Sequence, residues 1–144
     1  MRVLIDANVL ISYMLNPDSD HPPSAIVNAG LRRTFELLIS ETTLTELTHS
    51  VSSKPYLRAR IRADETERVS QLFRVVTTVV PEIGFEAPQV ARDYKDDYLL
   101  AHAVVEQLDF LVSGDRDLLA LQISSPFRTV SPADFVLLLD TLDR

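Results

Sequence analysis

Short apolar runs alternate with amphipathic segments along the chain. Apolar residues at consecutive positions predict strands that are buried on both faces. Five such runs occur, at residues 2–6, 35–39, 75–80, 110–113 and 127–130. Between them, apolar residues recur at helical spacing, which predicts helices over residues 9–15, 24–33, 41–51, 64–73, 97–108, 115–121 and 132–139. Strands and helices that alternate from end to end are typical of an α/β three-layer sandwich, a parallel sheet with helices on both faces.

Local signals refine some of these elements. Ser40 is a predicted N-cap, and Pro81 ends a strand predicted from the β-branched residues at positions 75–80. The spacing places Leu72 on the buried face of one helix and Val104 on the buried face of another.

Composition limits the class of protein. The chain has 144 residues, of which 46% are hydrophobic and 24% are charged, so we expect one globular domain over residues 1–144. It has no cysteine, which excludes a disulfide framework, a thiolate zinc site and a cysteine nucleophile. The longest apolar runs, such as residues 136–139, are far shorter than the roughly 20 residues that cross a bilayer. We therefore expect a cytoplasmic protein without a membrane partner.

The charge is acidic. With 14 Lys and Arg against 21 Asp and Glu, the formal net charge is −7. A passive nucleic-acid binder is normally basic, so this balance argues against that class. It does not exclude an enzyme whose acidic residues are concentrated in a metal site.

Several acids occur where predicted strands end. Asp6 ends the first strand, Asp115 follows the fourth, and Asp96 and Asp97 open the helix before the fourth. Glu46 lies beside the buried stripe of the helix that follows the second strand. Ligands of parallel α/β sheets bind at the carboxyl ends of the strands. Taken singly, each acid is more simply a helix cap, a first-turn residue or a solvated side chain.

Taken together, the acids suggest metal chemistry. Crowded carboxylates repel one another unless a cation neutralises them. Oxygen ligands without His or Cys suit Mg²⁺ or Mn²⁺, and two such ions can clamp a phosphodiester during in-line displacement.

Four sequence blocks carry a resemblance to a known family. They are Leu-Ile-Asp-Ala-Asn-Val-Leu at 4–10, Leu-Thr-Glu-Leu at 44–47, Asp-Asp-Tyr-Leu-Leu-Ala-His-Ala at 96–103 and Val-Ser-Gly-Asp-Arg-Asp-Leu-Leu at 112–119. In order and spacing they resemble the signature blocks of the PIN-domain nucleases, from residue 1 to about residue 135. More narrowly, the chain is similar to the VapC-like ribonucleases, the toxin components of type II toxin–antitoxin pairs.

The resemblance implies a five-stranded parallel sheet in the order 3-2-1-4-5. It also implies RNA cleavage that depends on Mg²⁺ or Mn²⁺ and leaves 5′-phosphate and 3′-hydroxyl ends. A cognate antitoxin is the implied partner, and the family is often homodimeric.

The resemblance assigns roles to individual residues. The matching catalytic and metal-binding acids are Asp6, Glu46, Asp97 and Asp115, and Asp117 matches a further metal-binding acid. Asn8, Ser113 and Asp96 match supporting positions. Asp97 is preferred to Asp96 as the required acid because it precedes Leu100 and Ala101 at the family spacing.

Other polar residues give weaker signals. Arg92, Lys95 and Arg116 lie near the acids and could bind RNA phosphates, but ordinary solvated charge explains them equally well. The histidines His21, His49 and His102 include no pair at metal-ligand spacing, so we expect them to have structural or solvent-facing roles. A packing role is also the simpler interpretation of Tyr98.

Two other functions compete with nuclease activity. A receiver-type phospho-acceptor module is also an α/β sandwich with acids at its strand ends. It needs an acidic pair after the first strand, and Asp6 has no acidic neighbour. The other alternative is an inert PIN-like domain that binds RNA or protein; the intact set of acids argues against it.

Overall fold

The computed structural model describes residues 1–82 and 97–142, with the backbone alone for Asp97. The strands of this part are β1 (Arg2–Ile5), β2 (Glu36–Ser40), β3 (Thr78–Val80), β4 (Phe110–Val112) and β5 (Arg128–Val130). The helices are α1 (Ala7–Leu15), α2 (Pro22–Leu31), α3 (Glu41–Ser53), α4 (Pro55–Arg58), α5 (Ala63–Val76), α6 (Asp97–Val105), α7 (Arg116–Ala120) and α8 (Pro132–Leu142). None of these helices has the length and apolar character that crossing a bilayer requires.

The strands form one parallel sheet in the order β3-β2-β1-β4-β5. Leu4 of β1 pairs with Leu38 of β2 on one side and with Leu111 of β4 on the other. The predicted fold class and strand order are therefore confirmed. A receiver-type module has the order 2-1-3-4-5, so the topology excludes that alternative.

The apolar runs of the strands are continuous because both faces of the sheet are covered. Val3 and Ile5 of β1 point to one core, which they share with buried residues of α1, α2, α3, α5 and α8. Leu4 points to the opposite core, which α6 and α7 cover. Alternate side chains of a strand point to opposite faces, so a strand between two helical layers is apolar at every position.

The third predicted strand is shorter than the sequence indicated. Residues 75–76 belong to α5, and only residues 78–80 form β3. Phe73 is fully buried, and its carbonyl accepts hydrogen bonds from both the backbone and the hydroxyl of Thr77, which caps the helix. The i→i−4 hydrogen bond from Thr77 to Phe73 thus carries α5 through residue 76, beyond what the β-branched composition predicts, and Val75 is 82% exposed.

Two predicted core positions are wrong. Leu72 of α5 is 47% exposed and Val104 of α6 is 57% exposed. Both are next to a residue that is buried, Phe73 and Ala103 respectively. Because one residue corresponds to about 100° of rotation around a helix, neighbours of buried positions can face solvent. The predicted N-cap is confirmed, since the Ser40 hydroxyl accepts the backbone N–H of Thr43 at 2.9 Å.

Candidate active site

Asp6 is the first residue after β1 and the N-cap of α1. Its Oδ1 accepts the backbone N–H of Val9 at 3.1 Å, and its Oδ2 accepts the hydroxyl of Ser113. The side chain is only 5% exposed. Burial raises the pKa of Asp6 above its usual range, the hydrogen bonds from Ser113 and Val9 oppose that rise, and the charge of Asp115 adds to it. The site therefore contains a carboxylate whose charge is costly without a nearby cation.

Ser113 connects the ends of two neighbouring strands. It follows β4 and is fully buried. While its hydroxyl donates to Asp6, the same oxygen accepts the backbone N–H of Asp115 at 3.0 Å. The hydroxyl thus fixes the acid that ends β1 relative to the turn that follows β4.

Asp115 is the N-cap of α7. Its Oδ1 accepts the backbone N–H of Asp117 at 2.8 Å and that of Leu118 at 3.3 Å. Asp6 and Asp115 are therefore both helix N-caps, as the simpler interpretation of each acid predicted. It does not exclude a second role, because a carboxylate has about four lone-pair positions and these caps use only part of them.

Glu46 and Tyr98 meet across the site from different helices. The hydroxyl of Tyr98, on α6, is hydrogen-bonded to Glu46 of α3 and lies 3.4 Å from Oγ1 of Thr43. Burial raises the pKa of Tyr98 well above its usual range, and the charges of Glu46 and Asp6 raise it further. Tyr98 also packs edge-on against His102. The expected packing role of Tyr98 therefore comes with a polar contact to a predicted catalytic acid.

These side chains line one cavity of about 560 Å³ at the carboxyl edge of the sheet. Four predicted site residues line it: Asp6, Asn8, Glu46 and Asp115. Ser113 is not part of the lining but donates a hydrogen bond to Asp6, which is. Arg116 and Asp117, in the first turn of α7, are outside the described lining. Asp96, Arg92 and Lys95 lie outside the described residues, as does the side chain of Asp97.

The cavity also includes polar residues that the sequence analysis did not assign to it. They are Glu82, Tyr98, His49, Ser50 and Lys54, together with Thr42 and Thr45. Glu82 comes two residues after β3 ends, so the same reasoning that selected Asp6 could have found it. The remaining residues of α3 share a helix face with Glu46, and that shared face is the sequence signal that could have found them.

The donor chemistry of the cavity fits a hard divalent cation, since its acids offer oxygen ligands. Within residues 1–82 and 97–142, however, no three His, Asp or Glu side chains are close enough together to hold a metal ion. The side chain of Asp97, a predicted metal-binding acid, lies outside the described residues.

The family of the chain follows from its sequence and agrees with this fold. A PIN-domain family model matches residues 2–117, so the chain belongs to the PIN-domain family, a family of nucleases that generally use divalent metal ions. No curated protein matches the chain significantly in sequence.

Solved structures share the fold at low sequence identity. PAE2754 from Pyrobaculum aerophilum superposes with a TM-score of 0.67 and 18% identity, over 98% of this chain and 90% of that one. VapBC2 from Rickettsia felis was solved bound to a DNA fragment from its promoter. It has a TM-score of 0.63 and 14% identity, over 91% of this chain and 98% of that one. VapC20 from Mycobacterium tuberculosis, a sarcin-ricin loop cleaving toxin, has a TM-score of 0.56 and 12% identity over 83% and 94%.

Proposed function

We propose that this protein is a metal-dependent endoribonuclease and the toxin of a type II toxin–antitoxin pair. One observation carries the proposal: Asp6, Glu46 and Asp115 leave three separate elements and line the same cavity at the carboxyl edge of a PIN-domain sheet. The charge of Asp115 raises the pKa of Asp6, so the two carboxylates repel each other, and a bound cation would remove that cost. Asp97, at the first residue of α6, is the proposed fourth acid.

The reaction is hydrolysis of an RNA phosphodiester. Asp6, Glu46, Asp97 and Asp115 are the residues that would hold Mg²⁺ or Mn²⁺, with Asp117 as a further ligand. A divalent ion in such a site would lower the pKa of a bound water and neutralise charge on the phosphate. Water attack at phosphorus breaks the bond to O3′, which takes up a proton, and leaves a 5′-phosphate and a 3′-hydroxyl.

The protein contributes fixed geometry. Asp6 is held by Ser113 and by the N–H of Val9, so its carboxylate cannot turn away from the cavity without losing two hydrogen bonds. The hydroxyl of Tyr98, on α6, also contacts Glu46, on α3. Asn8 and Asp96 are proposed as supporting residues. Arg92, Lys95 and Arg116 are proposed to bind RNA phosphates near the point of cleavage.

A partner must block the site if this activity is to be tolerated in the cell. The folds of VapC20 and VapBC2 support a toxin that pairs with an antitoxin. We infer that a C-terminal segment of the antitoxin folds on binding and directs an Arg or Lys toward Asp6, Glu46 and Asp115. A homodimer is the expected state of the toxin.

The nuclease proposal is tested by digesting defined RNAs with and without Mn²⁺. Wild type should cut and leave 5′-phosphate ends, and Asp6→Asn should not cut. Asp140→Asn is the matched control, because Asp140 is an exposed acid of α8 and does not line the cavity. A folded wild type that leaves every RNA intact with metal present would favour the inert PIN-like domain.

The antitoxin proposal needs the product of the neighbouring gene. Co-expression and pull-down should yield a complex, and that complex should have no ribonuclease activity. Steering by the acidic charge should make the association rate fall as salt rises. A complex that still cuts RNA at the full rate would contradict this mode of inhibition.

A further inference from the structure

Helix α3 has two faces with different surroundings. Leu44, Leu47 and Val51 are buried in the core. The opposite face lines the cavity through residues at positions i, i+3, i+4, i+7 and i+8, namely Thr42, Thr45, Glu46, His49 and Ser50. Lys54, the C-cap of α3, lines it as well. The cavity wall therefore continues from Glu46 to Lys54, about 12 Å along the helix at 1.5 Å per residue.

The chemistry of this wall changes along its length. The end at the sheet edge carries the acids Asp6, Glu46 and Asp115. The far end carries hydrogen-bond donors: the imidazole of His49, the hydroxyl of Ser50 and the ammonium group of Lys54.

These donors are available to a ligand. Within residues 1–82 and 97–142, none of the three side chains has a hydrogen-bond or ion-pair partner. Glu82, an exposed acid of the same cavity, forms no ion pair with Lys54 in this part of the chain.

An acidic nuclease has a particular need for such a group of donors. The net charge of −7 and the acids of the cavity repel a polynucleotide away from the point of cleavage. Lys and Ser are common partners of phosphate oxygens, and an imidazole N–H is a further donor. We propose that His49, Ser50 and Lys54 bind a backbone phosphate of the RNA beside the scissile one, so that the strand runs along α3. The proposal rests on the ribonuclease function above and adds a substrate-binding site to it.

The test measures binding of a fluorescein-labelled oligouridylate of twelve nucleotides by anisotropy at several salt concentrations. The protein carries Asp6→Asn, so the probe stays intact. Removing one cationic contact to a single strand should reduce the slope of log affinity against log salt by about 0.7. Lys54→Gln should show that reduction together with weaker binding, and Lys54→Arg should restore both. His49→Gln should weaken binding with a smaller change in slope.

Arg60→Gln is the matched control, because it removes the same charge from an exposed residue that does not line the cavity. It should leave the slope within error of that of Asp6→Asn alone. In the otherwise native chain, Lys54→Gln should raise KM and leave kcat unchanged, as expected when binding is lost equally from ground state and transition state.

The outcomes separate the two proposals. If wild type cuts RNA but Lys54→Gln and His49→Gln behave like Arg60→Gln, the phosphate site is overturned and the nuclease function stands. If wild type neither binds nor cuts RNA, both fall. Melting curves for Lys54→Gln that match wild type would show that weaker binding is not a folding defect.

Discussion

The hydroxyl of Ser113 donates a hydrogen bond to the carboxylate of Asp6, a residue 107 positions earlier in the sequence. This contact is possible because β1 and β4 are neighbours in the parallel sheet, so their carboxyl ends lie side by side. It gives a buried acid a fixed orientation at the cavity, and it makes Ser113 a structural part of the site.

Ser113→Ala should impair both stability and cleavage. It removes the hydroxyl that donates to Asp6 and accepts from Asp115, so a buried carboxylate is left with one donor fewer. The expected loss is about 1–3 kcal/mol in the free energy of unfolding, measured by urea denaturation, together with a lower kcat. Ser113→Thr keeps the hydroxyl and should restore most of the activity.

A second serine provides the control for this prediction. Ser131→Ala removes a hydroxyl that accepts the N–H of Asp134 at 3.2 Å, at the start of α8. It should cost about 1 kcal/mol in stability and leave cleavage unchanged. Full cleavage by Ser113→Ala would show that the bond to Asp6 does not matter for the site.

Mn²⁺ should raise the melting temperature of the wild type relative to EDTA. A ligand that binds only the folded state stabilises it by about 2.7 kcal/mol at a hundredfold excess over Kd. Asp6→Asn and Asp115→Asn should lose the shift, whereas Asp140→Asn should keep it. Identical melting curves for wild type in Mn²⁺ and EDTA would refute metal binding at these acids.

Asp97→Asn should abolish cleavage without unfolding the protein, while Asp96→Asn should reduce it only modestly. The reason is the register that the sequence predicts: Asp97 precedes Ala101 by one helical turn, and on a continuous helix a residue one position earlier would be rotated by about 100°. Cleavage assays and far-ultraviolet circular dichroism on both variants test this. If Asp96→Asn abolished cleavage and Asp97→Asn reduced it only modestly, Asp96 would be the required acid.

His102 should make stability depend on pH. The residue is 2% exposed, and burial lowers its pKa below the ordinary value of 6.5, against a smaller opposing effect of Glu106. The folded chain therefore binds this proton less tightly than the unfolded chain does. The contribution of neutral His102 to the free energy of unfolding is fully present above about pH 6.5, and it falls as the pH drops below that value.

Urea denaturation at pH 7.5 and at pH 5.5 measures this effect. His102→Gln should show a smaller drop between the two pH values than wild type. The exposed His21 is the control, and His21→Gln should keep the wild-type drop. If the free energy of unfolding of His102→Gln fell as much as that of wild type, groups other than His102 would cause the pH dependence.

Gly30→Ala should destabilise the fold. A Cβ at this position would lie 2.8 Å from Cδ2 and 2.9 Å from Cβ of Leu37, where α2 packs on β2. Overpacking of this kind costs about 1–3 kcal/mol. Gly114→Ala has open space around the new Cβ and should retain wild-type stability, so a paired melt of the two variants checks the prediction.

The sequence alone was enough to predict the class of fold. The alternation of strands and helices predicted the three-layer sandwich, and the resemblance of the four sequence blocks to the PIN-domain family implied the strand order 3-2-1-4-5. The sequence also singled out the acids at the strand ends, because a parallel sheet brings the carboxyl ends of its strands to one edge, where ligands bind. Asp6, Glu46 and Asp115 do line one cavity there, although their roles in catalysis stay predictions.

Other features depended on packing between elements that are distant in sequence. The β-branched run at 75–80 locally predicts a strand, yet its first two residues continue α5, whose Phe73 is packed in the core. The contact between Tyr98 and Glu46 depends on how α6 approaches α3. Likewise, His49 and Lys54 line the cavity only because the core selects the opposite face of α3 for burial. Local sequence determines which residues can form an element, whereas only the packed tertiary structure decides which face of that element meets the site.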